Sequence, residues 1–118
     1  MDYALVLVTL PATIAPDGVL RDLLARRLIA GANVIPGLAT LYVDGGAVVA
    51  TRETLYLCRT QPRHVATLRA AIEACTGERD FEVSVLAAAA GNPAYTAWIA
   101  RALGAPGDVG DVGDVGDA

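Results

Sequence analysis

Hydrophobic positions recur along the chain with two periods, which predict alternating strands and helices. Short runs rich in Val, Leu and aromatic residues predict extended segments over residues 3–9, 33–43, 47–60 and 81–89. Apolar residues spaced three and four apart predict one helix after the first strand, one after the third and one after the fourth. The predicted order of elements is therefore β-α-β-β-α-β-α.

Proline, glycine and asparagine mark the predicted ends of the helices. Pro16, Pro62 and the pair Asn92-Pro93 stand at helix starts, where a missing backbone N–H is tolerated and Asn is a favourable cap. Gly31 and Gly77 are the predicted stops of the first two helices. The first two helices are therefore bounded by local signals at both ends, and the third is marked at its start.

A hairpin joins the two halves of the pattern. Asp44-Gly45-Gly46 predicts a tight turn between the second and third strands, and Pro36-Gly37 predicts a bend or bulge within the second. Two βα units joined in this way match the split βαβ plan. The predicted fold class is α+β, a ferredoxin-like sandwich with an antiparallel sheet and an extra C-terminal helix. Helices on one sheet face would leave the other uncovered, which favours a partner subunit.

The C-terminal segment differs in composition from the rest of the chain. Residues 107–118 repeat Gly-Asp-Val three times and show no apolar face. We predict one domain over residues 1–104 and a disordered tail over residues 105–118, since Gly and Asp disfavour order here. The net charge of −4 also originates in this tail, because the rest of the chain carries nine arginines and nine acidic residues.

Composition excludes several functions. The chain has no lysine, which removes a Schiff-base lysine and a phosphate-loop lysine. It has no basic stripe for nucleic acid and no apolar run long enough to span a membrane. Its first residues lack the cationic region of a secretory signal, so we expect a cytoplasmic protein. Cys58 and Cys75 are expected to be free, buried thiols, with Cys75 on the apolar stripe of the second helix.

Few residues suggest catalysis. His64 is the only histidine, and Cys75 lies about 16 Å further along a helix, too far to share a metal through that helix alone. We expect His64 to be an exposed residue near a helix start. Ser84 is the only serine and has no His-Asp partners in sequence. A small hydrolase or transferase is therefore disfavoured, and no enzyme is predicted.

A few other side chains are candidates for binding. Glu53 and Glu82 are strand carboxylates, for which an outward-facing role is the common one. Tyr42 is expected at the core or an interface, and Arg59, at a strand end, can hold an anion or remain solvated. Trp98 belongs, with Tyr95, Ile99 and Ala102, to the apolar face of the third helix.

The chain as a whole resembles the CutA-type divalent-cation tolerance proteins. The register of the resemblance runs from about residue 4 to residue 103. The matching stretches are Val8-Thr9-Leu10-Pro11, residues 26–42, Gly46, residues 54–60, Glu82 and residues 91–99. Each stretch is short, and their order and spacing together carry the resemblance.

The resemblance implies a fold, an assembly and a role. It implies a ferredoxin-like subunit in a tight homotrimer, whose sheets pair edge to edge around a three-fold axis. It implies a non-enzymatic protein of divalent metal ion tolerance or response, with copper as the metal. The overall shape of such a trimer is similar to that of PII-type signalling trimers, which carry effector sites in clefts between subunits.

The departures from the family pattern concern the metal. Gly31 stands where the family commonly has Cys, Asp44 stands where it has Trp, and its His-Pro-Tyr run before the fourth strand is missing. Soft ligands that suit copper are thereby lost, and the resemblance implies weakened metal binding. The remaining candidates are Glu82 with Cys75 or His64, if the trimer brings them together.

A second reading of the resemblance is a PII-like binding module. Its ligand would be a small anion or metabolite held in the inter-subunit cleft. The candidate cleft residues are Tyr42, Arg59, Glu82, Tyr95 and Trp98.

Overall fold

The computed structural model describes residues 3–87 and 91–104. Within them the chain forms four strands and three α-helices in the predicted order. The strands are β1 (Ala4–Pro11), β2 (Gly31–Asp44), β3 (Ala47–Thr60) and β4 (Glu82–Ala87). The α-helices are α1 (Pro16–Ala25), α2 (Val65–Thr76) and α3 (Pro93–Leu103), and a short 3-10 turn, Pro62–His64, precedes α2. The predicted tail, residues 105–118, lies outside the described residues, as do residues 88 and 89 of the predicted fourth strand.

The strands form one sheet in the order β2-β3-β1-β4, and every neighbouring pair is antiparallel. β1 is paired on both sides, with Val6 opposite Cys58 on β3 and Val85 on β4. This topology confirms the predicted α+β class and the ferredoxin-like plan. It leaves β2 and β4 as the edge strands of the subunit.

The main core lies between the sheet and the helices α1 and α2. We call this side of the sheet the front face. It is defined by the buried, alternate residues of β1, which are Ala4, Val6, Val8 and Leu10. The residues packed with them include Val19, Leu23, Tyr56, Cys58, Leu68 and Ile72. Burying each large side chain of this kind contributes about 1.5–3 kcal/mol to folding.

Helix α3 packs on the opposite side of the sheet, which we call the rear face. Ala32 packs against the front core, so its neighbour Gly31 faces the rear. A Cβ built on Gly31 would lie 3.6 Å from Cη2 of Trp98 in α3. Ile99 and Leu103 are buried there, outside the front core. The expectation that the helices would leave one face uncovered is therefore wrong in part, because α3 covers one end of the rear face.

The end of α1 also differs from the prediction. The helix ends at Ala25, and Gly31 is the first residue of β2. Arg27 takes the left-handed conformation, with φ of 58°. The Arg27 N–H donates to Leu24 O and the Leu28 N–H to Leu23 O, each at 3.0 Å. This hydrogen-bond pair is a Schellman motif, which usually uses glycine at the left-handed position and here uses arginine.

Helix starts follow the proline signals. Pro16, Pro62 and Pro93 each occupy the first positions of a helix or 3-10 turn. Asn92 is the residue before α3 as predicted, but its side chain makes no capping hydrogen bond. Its backbone carbonyl instead accepts from the N–H groups of Tyr95 and Thr96.

Gly77 ends α2 as predicted, with φ of 77° and its N–H donating to Glu73 O at 2.9 Å. We expect Gly77→Ala to lower the free energy of unfolding by about 1–2 kcal/mol, because a Cβ is disfavoured in the left-handed region. Gly18→Ala is the matched control. Neither site has a neighbouring atom within 4 Å of the added Cβ, and Gly18 has helical backbone. Alanine at Gly18 should stabilise by roughly 0.5–1 kcal/mol. Equal effects in denaturant unfolding would contradict this explanation.

The β2–β3 hairpin extends beyond the rest of the sheet. Its last rung shared with β1 is Pro11 opposite Glu53. Residues 38–52 then continue as a two-stranded ribbon, which we call the arm. Gly45 and Gly46 have φ of 58° and 77°, which confirms the predicted tight turn at its tip.

A β-bulge lies at the base of the arm. Ile35 pairs with Leu55 and Leu38 pairs with Glu53, so Pro36 and Gly37 together oppose Thr54. The predicted bulge is confirmed. The extra residue reverses the alternation of β2, since side chains in a strand point alternately to the two faces.

The reversal places three exposed apolar side chains on one face of the arm. Leu41 is opposite Ala50, and Val43 is opposite Val48. Val43 and Val48 are 74% and 73% exposed, and Leu41 is also exposed. The arm therefore presents an apolar surface that the described residues of its own subunit do not cover.

Candidate functional site

The three predicted metal ligands lie on different elements. His64 ends the 3-10 turn before α2, and Cys75 lies in the last turn of α2. Glu82 begins β4, where it is opposite Thr9, and it accepts a 2.7 Å hydrogen bond from Ser84 Oγ. His64 and Cys75 are about 16 Å apart along the helix axis. One subunit does not bring the three groups together.

The donor groups of one subunit do not fit a copper site. Nε2 of His64 is buried and has no hydrogen-bond partner, so a surface ion does not reach it. Across residues 3–87 and 91–104, no three His, Cys, Asp or Glu side chains are grouped to hold a metal ion. Glu82 and Cys75 are exposed and remain accessible to a neighbouring copy.

His64 makes stability depend on pH. Burial, and secondarily the adjacent Arg63 guanidinium, lowers the pKa of His64 below 6.5. The unfolded chain then binds this proton more readily than the folded one. The stability contribution is thus complete above about pH 6.5 and is lost as the pH falls through the folded-state pKa. We expect the melting temperature to fall between pH 7 and 5, and less steeply in His64→Phe. Parallel curves for the two proteins would contradict this.

The two thiols are free, as predicted, but only Cys58 is buried. Burial raises the pKa of the Cys58 thiol to about 12, which leaves it protonated and unreactive at neutral pH. The expectation that Cys75 would also be buried is wrong. Cys75 lies on the same stripe as Leu68 and Ile72, but in the last turn of α2, beyond the part that the core covers.

Three of the five predicted cleft residues lie together on the rear face. The ring centroids of Tyr95 and Trp98 are 5.5 Å apart, and Tyr3 meets Tyr95 edge to face at 5.7 Å. Arg59 is opposite Gly31, over which Trp98 lies. Arg59 Nη1 donates to Leu57 O at 3.1 Å. These side chains form an aromatic cluster with one arginine at its border.

The other two predicted cleft residues lie elsewhere in the subunit. Tyr42 is in the arm, opposite Val49, eleven residues along β2 from Gly31 or about 36 Å. Glu82 shares a rung with Thr9, whereas Arg59 shares one with Leu5, so the two rungs are about 13 Å apart along the strands. A single subunit does not form the five-residue cleft.

Sequence reasoning missed two contributors to these surfaces. Tyr3 belongs to the aromatic cluster, and Gly91 packs against it so closely that a Cβ at Gly91 would lie 2.9 Å from Tyr3 Cε1. The exposed apolar face of the arm was also missed. A signal for it was present, because strands of 11 and 14 residues were predicted beside a first strand of 7, and the excess length must project.

None of the helices in the described ranges could cross a bilayer. The longest of them, α2, has 12 residues, whereas a spanning helix needs about 20.

Comparison with known proteins agrees with this fold. The model of the CutA1 divalent ion tolerance protein family matches residues 4–102. The divalent-cation tolerance protein CutA of Thermus thermophilus is 31% identical over 94 residues, covering 80% of this chain and 91% of that protein. A solved structure of the divalent cation tolerance protein (Cut A1) from Thermus thermophilus has a TM-score of 0.81 at 29% identity, covering 86% of this chain and 99% of that one. CutA from Xylella fastidiosa gives 0.79 at 26% identity, covering 88% and 100%. The chain therefore belongs to the CutA1 divalent ion tolerance family.

Proposed function

We propose that this protein is a non-enzymatic homotrimer that contributes to the cellular response to divalent metal ions, copper among them. The observation that carries the proposal is the projecting arm, on a subunit that belongs to the CutA1 family over residues 4–102. Within residues 3–87 and 91–104, a single subunit leaves the arm uncovered and two sheet edges unpaired. A closed ring of copies covers the arm and pairs the sheet edges.

The exposed surface of the arm supports assembly. Leu41, Val43 and Val48 lie on one face and are exposed. Apolar side chains grouped in this way mark interaction surfaces on soluble proteins. The open edges of β2 and β4 support the same conclusion, since unpaired edges invite uncontrolled strand pairing unless they are covered. Identical subunits around a closed axis remove both liabilities.

The reactive groups in the described ranges support a non-enzymatic role. The buried Nε2 of His64 is not positioned beside a nucleophile, and the pKa of Cys58, raised to about 12, keeps that thiol protonated. Two free thiols also fit a reducing compartment, and we place the protein in the cytoplasm on this ground.

Sedimentation equilibrium tests the assembly. We expect a particle of roughly three times the 12.1 kDa subunit mass. A mass of one subunit across micromolar concentrations would contradict the proposed trimer.

For the metal, we propose a weak contact made by Glu82 together with Cys75 of a neighbouring copy; His64 is left out because its Nε2 is buried. Glu82 and Cys75 are exposed, which lets a neighbouring copy complete the ligand set. Titration calorimetry with Cu(II) should show weak binding that Glu82→Gln and Cys75→Ser each reduce. Asp17→Asn, on the exposed side of α1, is the matched control and should leave the isotherm unchanged. Two outcomes would contradict this role. One is a heat of copper binding that is identical in the wild type and all three variants. The other is tight binding of a nucleotide with no heat from copper.

A further inference from the structure

Arg52 lies where the body of the subunit ends and the arm begins. β1 shares its last rung, at Pro11, with Glu53. One residue further on, the N–H of Ala12 donates to the backbone carbonyl of Arg52 at 3.1 Å. This is the last hydrogen bond between the segment that ends β1 and the hairpin, since the pairs beyond it join only β2 and β3. The backbone of Arg52 is therefore held by the body.

The side chain of Arg52 reaches across the hairpin to the bulge. Its Nη1 donates to the carbonyl oxygen of Gly37 at 3.2 Å. The ladder is weakened at this point, because Pro36 has no N–H to donate and Gly37 takes φ of 69°. Arg52 thus joins the body to the bulge. Its backbone carbonyl bonds the body, and its guanidinium bonds the bulge.

The direction of the arm is sensitive to this junction. Two-stranded ribbons twist more than wide sheets and have no third strand to fix their course. From Leu38 to Asp44 the arm is about 20 Å long, so a rotation of roughly 10° at its base moves the tip by about 3.5 Å. That displacement is close to the width of a side chain and is enough to misplace Val43 and Val48 against a partner.

We infer that Arg52 sets the direction of the arm and thereby the fit between copies of this chain. The inference rests on the proposed trimer. Arg52 is a positioning residue: it acts through the bulge on the apolar face of the arm. Its effect is on association, and the subunit folds without it, since its side-chain bond is exposed and lies outside the core.

The test compares Arg52→Met and Arg52→Lys with the wild type by sedimentation equilibrium. We expect Arg52→Met to raise the dissociation constant of the trimer at least about tenfold. Arg52→Lys keeps the charge but not the planar set of guanidinium donors. Its dissociation constant should lie between those of the wild type and Arg52→Met. Arg26→Met is the matched control, because Arg26 is an exposed arginine directly after α1, paired with Asp22 and away from the arm. This variant should associate as the wild type does. The near-ultraviolet signal of Trp98 should stay unchanged in all variants.

Three outcomes would overturn the inference. Equal dissociation constants for the wild type and Arg52→Met would remove Arg52 from the assembly. Loss of the Trp98 signal in both Arg52 variants would show that the residue is needed to fold the body. A wild-type protein that sediments as a single subunit would refute the proposed trimer itself, and this result is recognised without any variant.

Discussion

Replacing Val43 and Val48 together by glutamate is expected to convert the trimer into single subunits. The two residues are opposite each other near the tip of the arm and are about three-quarters exposed within the subunit. Glutamate there remains in water in a lone subunit and costs it little. In the trimer each carboxylate would be buried against a neighbour without a partner, at a cost of about 3 kcal/mol. That cost corresponds to roughly a hundredfold weaker association per substitution.

Sedimentation equilibrium and circular dichroism together measure this effect. The double variant should have the mass of one subunit and an unchanged far-ultraviolet spectrum. Ala66→Glu with Ala74→Glu is the matched control, since it adds the same charge at exposed positions of α2. That control should remain trimeric. A Val43→Glu/Val48→Glu protein with the wild-type mass would show that the arm is not the contact surface.

Truncating Ile99 to alanine is expected to lower the free energy of unfolding by about 2–5 kcal/mol. Ile99 is 1% exposed and lies between α3 and the rear face, whereas its neighbour Trp98 is 39% exposed. The lost side chain leaves a cavity where the helix meets the sheet. Ile99→Val removes one methylene and should cost about 0.5–1.5 kcal/mol.

Denaturant unfolding at one fixed subunit concentration measures both variants. The concentration is held constant because association contributes to apparent stability by mass action. A loss below about 1 kcal/mol for Ile99→Ala would mean that α3 does not depend on its contact with the rear face. Dissociation without loss of subunit stability would instead assign Ile99 to the interface between copies.

The order of elements could be predicted because its signals are local, and the sheet topology followed from matching that order to the split βαβ plan. Apolar periodicity distinguishes the strands from the helices, and residues such as Pro93, Gly45-Gly46 and Gly77 mark where elements begin and end. The family resemblance, stated over residues 4–103, is confirmed by the match over residues 4–102. The predicted bulge at Pro36-Gly37 followed from the same kind of local signal.

The placement of α3 and the end of α1 could not be predicted in the same way. An apolar stripe containing Ile99 shows that a helix packs on something, but not on which face of the sheet. At the end of α1, Gly31 offered the favoured residue for a left-handed stop, and the chain uses Arg27 because the Leu28 side chain is buried immediately after it.

The candidate site was predicted only in part for a related reason. Arg59, Tyr95 and Trp98 come together because β3 and α3 share the rear face. Tyr42 and Glu82 are distant from them within one subunit, and residue spacing cannot report contacts between copies. The proposed grouping of Glu82 with Cys75 depends on the assembly, which calorimetry and sedimentation test.

The contrast between the two thiols gives the protein a single chemical handle. Cys58 is buried, and the raised pKa of its thiol, about 12, keeps it from forming the nucleophilic thiolate. Cys75 is exposed at the end of α2. A maleimide reagent added to the native protein should therefore modify each subunit once, at Cys75. In the proposed trimer this places one label on each subunit in symmetric positions. Fluorescence energy transfer after mixing donor-labelled with acceptor-labelled protein can then follow subunit exchange without any mutation.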